Sequence, residues 1–164
     1  MTSLRFRLFL LPLLLWLAVI FTMSTRAGSD QHTISALEYL LRLIPGAMRH
    51  ISPEQIGAID FAVRKSAHFT EYFILGALFS RWYRTCSARV RRSVPTLSWL
   101  SATLYAASDE FHQIFVAGRT PKLTDVAIDS AGALAAVLIY AMIVRRRRDA
   151  EKELVLTGPA KEAA

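Results

Sequence analysis

Polar and ionisable side chains recur at helical spacing in three separate segments of this 164-residue chain. In chain order they are Lys65, His68 and Tyr72, then Asp109, Glu110, His112 and Gln113, and finally Asp125 and Asp129. Residues three, four or seven positions apart lie on the same face of an α-helix. Each segment is therefore predicted to carry one polar face, and three such faces can form a common site.

Two kinds of chemistry suit this set of side chains. Lys65 and Arg119 offer charge-assisted hydrogen bonds to a phosphate or a carboxylate, which predicts an anionic ligand. Alternatively, His68 or His112 could serve as a general base in a hydrolase or transferase, with Glu110 or Asp109 as the acid or as a metal ligand. The neighbouring serines lack the sequence signature of an activated nucleophile, so the sequence favours binding over catalysis.

Several of these residue types are also zinc ligands. The candidates are His68, Glu71, Asp109, Glu110 and His112. Their spacing argues against a metal site, because the sequence has no HExxH motif and each segment contributes a single histidine. We therefore expect no metal ion and no other cofactor.

The same charges could instead be purely structural and pair with one another between helices. Ion pairs buried in this way are a costly means of holding helices together, because both partners lose their hydration. We therefore expect the set as a whole to include ligand-binding residues.

The composition indicates a membrane protein. The chain is 53% hydrophobic and has a mean hydropathy of +0.31, although 20% of its residues are charged. These values are compatible only if apolar and charged residues are segregated into blocks, as they are along this chain. The net charge of +7 comes mainly from basic residues at the ends of apolar runs. That distribution argues against nucleic-acid binding and is typical of membrane topology.

Four apolar segments are predicted to span a bilayer. They cover about residues 8–23, 56–82, 94–116 and 123–144. The first could instead be a cleaved signal peptide, but its long apolar core with Trp16 and Phe21 favours an uncleaved helix.

Between the first two spans, apolar residues recur at helical spacing from Ile34 to Ile44 with polar residues opposite, which predicts a short interfacial helix that ends at Pro45-Gly46. Ser52 and Pro53 then mark the start of the next helix, as its N-cap and a first-turn residue. Gly76 and Gly132 would let helices approach closely.

These elements predict an all-α fold, a polytopic bundle of four transmembrane helices. Residues 1–148 would form a single membrane domain, and residues 149–164 a flexible cytoplasmic tail.

The distribution of Lys and Arg predicts the orientation of the helices. Dense basic groups at residues 5–7, 81–92 and 145–148 would all lie on one side of the membrane, which the positive-inside rule makes the cytoplasm. Both termini would then be cytoplasmic in a multi-pass protein of the cell (inner) membrane. The polar faces would converge near the outer leaflet and point inward, since charge facing lipid is costly.

The polar residues also follow the pattern of a known family. The sequence contains Lys65-x-x-His68-x-x-x-Tyr72, Asp109-Glu110-x-x-Gln113, Gly118-Arg119 and Asp125-x-x-x-Asp129-x-x-Gly132. Over about residues 60–140 this pattern resembles that of VanZ-like membrane proteins, which often have Asn where this chain has Asp129. The resemblance implies a membrane protein of the bacterial cell envelope and a link to resistance to the glycopeptide teicoplanin.

The predicted site is an outward-facing pocket, ringed by aromatic residues such as Tyr72, Phe111 and Phe115, that would hold an anionic head group or a lipid-linked cell-wall intermediate. Its polar lining would comprise Lys65, His68, Tyr72, Asp109, Glu110, Gln113, Arg119, Asp125 and Asp129. Arg119 is expected to fold back and join a network with Asp109, Glu110 and His68. The expected partners are membrane lipids and such a ligand but no nucleic acid, and a homo-oligomer is left open.

Overall fold

The computed structural model describes Leu4 and residues 6–25, 52–116 and 119–157, and the regular structure in these residues is helical. A π-helical turn, Phe6–Leu10, leads into α1, Leu11–Ser24. The later helices are α2, Pro53–Tyr83, the short α3, Ala88–Arg91, then α4, Val94–Gln113, and α5, Leu123–Thr157. The predicted all-α fold is confirmed for these residues, whereas the predicted interfacial helix lies outside them.

The start of α2 is fixed by a reciprocal capping interaction. The Gln55 backbone N–H donates to Ser52 Oγ at 3.2 Å, and the Ser52 backbone N–H donates to Gln55 Oε1 at 2.8 Å. Pro53 occupies the first turn, where its missing N–H has no intrahelical partner to lose. The predicted helix start at Ser52 and Pro53 is confirmed.

Two long-range hydrogen bonds hold α1 against the other helices. Trp16 Nε1 donates to the backbone carbonyl of Glu71 in α2 at 2.9 Å. Tyr105 Oη in α4 donates to the backbone carbonyl of Leu17 at 2.7 Å. In each case an aromatic ring packs in apolar surroundings while its polar atom finds a partner. The otherwise apolar α1 is thereby placed at a defined height beside α2 and α4.

The close approach of α2 and α5 requires glycine in both helices. A Cβ on Gly132 would collide with the backbone carbonyl oxygen of Phe69, and one on Gly76 would lie 2.7 Å from that of Ala133. Contacts this short with backbone atoms cannot be relieved by a change of rotamer. The predicted close contact at the two glycines is confirmed.

Small residues and a polar clamp pack α4 against its neighbours. Ala102 and Ala106 are completely buried. On α5, Ser130 Oγ accepts a hydrogen bond from Trp99 Nε1 at 3.0 Å and lies 2.9 Å from Thr103 Oγ1. Hydrogen bonds between helices of this kind contribute to packing where the surroundings are apolar.

Among the described residues, two helices have the length and apolarity of a membrane span: Arg7–Ser24 and Leu123–Leu156. The helices α2 and α4 are also long, with 31 and 20 residues. They do not meet the same test of apolarity, because the polar residues of the predicted site lie on them. The described residues thus contain two candidate spans, and the bundle of four spans stays a prediction.

Residues 149–157 of the predicted flexible tail are helical, since α5 continues to Thr157. This segment is rich in Ala, Glu, Lys and Leu, which have high helix propensity. Its compartment and its mobility stay predictions, and residues 158–164 lie outside the described residues.

Gly132→Leu is expected to destabilise the protein by at least about 1–3 kcal/mol, because the added side chain must displace the backbone of α2. The matched control is Ala131→Leu, since Ala131 immediately precedes Gly132 on the same helix and is exposed. Thermal unfolding of both variants in detergent, together with the yield of folded protein, measures the difference. Equal, near-native values for both would contradict the close crossing.

Candidate functional site

Ion pairs between α2 and α5 form one side of the predicted site. Lys65 Nζ pairs with Asp125 Oδ1, and both side chains are mostly buried, at 17% and 13% exposed. One turn further along, His68 Nδ1 lies 3.3 Å from Asp129 Oδ1. Asp129 is almost fully enclosed, and the contact becomes an ion pair when His68 is protonated. The two pairs show that the polar faces of α2 and α5 do meet.

The end of α4 supplies two adjacent buried carboxylates with different partners. Asp109 accepts a hydrogen bond from Gln113 Nε2 at 3.3 Å, one turn along the same helix. Glu110 accepts one from the backbone N–H of Lys122 at 2.8 Å. Glu110 thereby ties the segment that enters α5 to the end of α4, while Asp109 stays within its own helix.

Arg119 folds back across the site, as predicted, but its partner is unexpected. Its Nη2 donates to the backbone carbonyl of Met23 at 2.8 Å. That carbonyl lies in the last turn of α1, where the helix dipole favours a cation. Among the described residues, no carboxylate lies within ion-pair distance of Arg119. The expected direct network of Arg119 with Asp109 and Glu110 is therefore replaced by an anchor on α1.

Two small cavities adjoin at Arg119. The α1-side cavity, about 120 Å³, opens between the end of α1 and the polar faces of α2 and α4. The α5-side cavity, about 60 Å³, lies between α2, the end of α4 and the start of α5. Arg64, His68 and Arg119 line both, so the two cavities adjoin at these side chains and are together called the polar site.

Most of the predicted site residues line this site or lie directly behind it. Those that line at least one cavity are Lys65, His68, Asp109, Gln113, Arg119 and Asp125. Asp129 and Glu110 lie behind this surface, in contact with His68 and with the Lys122 backbone. Tyr72 is completely buried in the helix core, 6.5 Å from the Tyr105 ring, and lines neither cavity.

The predicted ring of aromatic residues is wrong. Phe111 and Phe115 are 63% and 73% exposed and pack edge to face on each other at 5.5 Å. Phe111 is two residues from Asp109, which places it on roughly the opposite side of α4. The aromatic side chain that does line the site is Phe61, in the α5-side cavity.

Comparison with known proteins gives one result. Residues 9–145 match the VanZ/LLP1 family. The chain belongs to the VanZ/LLP1 family. No curated protein and no solved structure matches it. The matched range begins just before α1 and ends within α5, so the whole polar site lies inside it. Family membership confirms the resemblance drawn from the polar motifs, and together with the two apolar helices it indicates a membrane protein.

The three catalytic candidates occupy different surroundings in this VanZ/LLP1 protein. His68 lines both cavities, Glu110 is bonded to the Lys122 backbone, and the His112 ring packs on Phe21 of α1 with centroids 4.7 Å apart. In the part of the chain that the structure describes, no three His, Cys, Asp or Glu side chains are grouped as a metal site requires. Only His68 is thus placed to meet a ligand in either cavity.

Two further residues line the site but are not among the predicted binding residues, although Glu71 is one of the candidate zinc ligands. Arg64 and Glu71 line the α1-side cavity, and the first forms a 3.0 Å ion pair with buried Asp60. The spacing of Arg64 four residues before His68 could have indicated a shared face. On α1, Ile20, Met23 and Ser24 line the α1-side cavity. The contact of Met23 with Arg119 had no sequence signal, because it is made by a backbone carbonyl.

The Lys65–Asp125 pair should show strong coupling in a double-mutant cycle. We expect Lys65→Ala and Asp125→Ala each to lose about 1–3 kcal/mol, because each leaves a mostly buried charge without its partner. The double variant should lose less than the sum. The control cycle uses Arg145 and Asp149, which lie 4.0 Å apart and are 87% and 64% exposed. That exposed pair should show almost no coupling in thermal unfolding, and equal coupling in both cycles would contradict the structural role of Lys65 and Asp125.

Proposed function

We propose that this VanZ/LLP1-family protein crosses the bacterial inner membrane four times and binds an anionic group of an envelope molecule at the polar site. One observation carries the proposal: Arg64, His68 and Arg119 line both cavities. Lys65 and Lys122 also line the α5-side cavity, so basic side chains dominate its rim. A phosphate or a carboxylate is the complementary group.

Arg119 is the residue best suited to receive the anion. One terminal nitrogen already holds the Met23 carbonyl, which fixes the guanidinium at the junction of the cavities. Its buried Nε has no hydrogen-bond partner among the described residues. By contrast, Lys65 is already paired with Asp125. The planar guanidinium can therefore offer further donors to a phosphate or carboxylate, as a lysine could not in the same geometry.

The carboxylates of the α1-side cavity narrow the choice of ligand. Glu71 and Asp109 both line this cavity and would repel an anion placed deep within it. We place the anionic group at the basic rim, near Arg119 and Lys122. The part of the ligand that reaches towards the carboxylates would carry hydrogen-bond donors, such as hydroxyl or amino groups. An envelope lipid or cell-wall intermediate with a phosphate beside such groups has this chemistry.

The proposed orientation exposes the site to the outer side of the membrane. The end of α1, the middle of α2, the end of α4 and the start of α5 all border the site. The dense basic groups lie away from the site, with 81–92 at the end of α2 and in the segment before α4, and 145–148 within the second half of α5. Basic residues favour the cytoplasm. A site on the outer side would meet the molecules that glycopeptides target, which links it to teicoplanin resistance or envelope stress.

Topology reporters test the orientation. A reporter fused after Arg148 should be active only in its cytoplasmic form, and one inserted at Gly118 only in its exported form. Both reporters in the same compartment would contradict four spans with cytoplasmic termini, and the outward-facing site with it.

Binding of a polyprenyl phosphate to the purified full chain tests the ligand class, with the uncharged polyprenol as the control ligand. Arg119→Gln should weaken binding about tenfold or more, because a hydrogen bond to a charged group contributes about 1.5–3 kcal/mol. Arg146→Gln is the matched control, since it removes the same charge from an exposed residue at the other end of the molecule. Glutamine at 119 is two bonds shorter than arginine and also loses the hydrogen bond to the Met23 carbonyl, so the yield of folded protein is measured for both variants.

The same two variants should differ in the teicoplanin tolerance of the cells that carry them. Arg119→Gln should abolish any teicoplanin tolerance that the protein confers, at unchanged abundance in the membrane, whereas Arg146→Gln should keep it. Equal affinity for polyprenyl phosphate and polyprenol would contradict an anion site. A loss of folded Arg119→Gln protein in proportion to the loss of tolerance would instead assign Arg119 a structural role.

A further inference from the structure

A larger cavity lies at the other end of the bundle, away from the polar site. It measures about 380 Å³ and opens between the end of α2, the start of α4 and the second half of α5. Ser80, Val94 and Val137 line it and are buried. None of the residues of the polar site borders it, so it needs a separate explanation.

The mouth of this cavity is strongly basic. Its cations come from three parts of the chain: Arg84 after α2, Arg91 in α3, and Arg145, Arg148 and Lys152 in α5. Among the described residues of the lining, Asp149 is the one carboxylate, and it lies 4.0 Å from Arg145, with both side chains largely exposed. Cations gathered around one opening repel each other, and an anion bound between them would relieve that repulsion.

The opposite part of the lining is apolar. Val94 and Pro95 at the start of α4 face Val137 and Val144 on α5. Lining residues on α5 recur at helical spacing from Val137 to Lys152, a length of roughly 22 Å along the axis. This stripe is apolar as far as residue 144 and basic beyond it. A free phosphate or a nucleic acid would leave the apolar half uncovered, whereas an amphiphile with an anionic head covers both halves.

We infer that this cavity binds an anionic phospholipid, with its phosphate between Arg91 and Arg148 and an acyl chain along Val94, Val137 and Val144. In the proposed orientation this is the cytoplasmic leaflet, where basic pockets between helices are suited to acidic head groups. The inference does not depend on the ligand of the polar site.

Variants can distinguish the cations that line the cavity from neighbouring cations that contribute only to membrane orientation. Arg147 stands beside Arg148, and Arg92 beside Arg91, yet neither lines the cavity. Membrane orientation responds to the number of basic residues near a span and not to the side of the helix on which they lie. Substitutions at lining and non-lining positions therefore remove the same positive charge from the ends of the spans. Only substitutions at lining positions remove a cation from the cavity.

Retention of phosphatidylglycerol by the purified full chain, followed by native mass spectrometry with phosphatidylcholine as the reference lipid, tests the inference. The double variant Arg91→Gln with Arg148→Gln should bind phosphatidylglycerol about thirtyfold more weakly than the unmodified protein, because two cations near an acidic head group are lost. The matched control, Arg92→Gln with Arg147→Gln, should bind it almost normally. An equal loss in both doubles, or in neither, would overturn the inference.

A third variant tests the apolar half of the cavity without changing any charge. Ala141→Leu extends a side chain from the α5 lining and should weaken phosphatidylglycerol binding. Binding of glycerol phosphate, which has no acyl chains, should be far weaker than that of phosphatidylglycerol. Equally tight binding of glycerol phosphate would show a head-group site and overturn the lipid assignment. Arg119→Gln should leave phosphatidylglycerol binding intact. A result that contradicts the phospholipid cavity can therefore be distinguished from one that contradicts the anion site at Arg119.

Discussion

The close crossing of α2 and α5 is the constraint on which the polar site depends. With hydrogen in place of a side chain at Gly76 and Gly132, the two backbones approach until carbonyl oxygens fill the space of a Cβ. Their relative height and rotation are thereby fixed, and Lys65 and His68 are brought to Asp125 and Asp129. A slip of one residue would turn a helix by about 100° and separate both pairs. The packing of α2 against α5 thus determines which charged side chains form pairs.

The apolar α1 completes a site to which it gives almost no polar side chain. Trp16 and Tyr105 fix its height through backbone carbonyls, and its last turn then offers the Met23 carbonyl to Arg119. A loop arginine is held across the mouth in this way without an ion pair to a carboxylate of the described residues. This arrangement leaves the charge of Arg119 available, whereas that of Lys65 is already matched by Asp125.

The two ends of the molecule differ in the balance of charge within their cavities. At the polar site, the cations share the lining with carboxylates such as Glu71, Asp109 and Asp125, so a ligand there must offer donors as well as an anion. At the other end, several cations surround an apolar wall, with Asp149 as the one carboxylate among the described lining residues. The first lining suits a polar molecule with a charged group, and the second suits an amphiphile.

Patterns along the chain were enough to predict the four long helices, though not the short α3 or the extension of α5 to Thr157. They also predicted the cap at Ser52, the close contact at Gly132 and most of the polar lining, because all of these follow from local spacing and composition. The family could also be recognised from the polar motifs alone. The sequence did not determine that Tyr72 belongs to the core, that Phe111 faces outward, or that Arg119 is anchored on α1. Those outcomes depend on how far each helix is rotated and at what height it lies against the others. The rotation and the height of each helix are set by contacts between residues distant in the chain. Helical periodicity along the sequence does not specify those contacts.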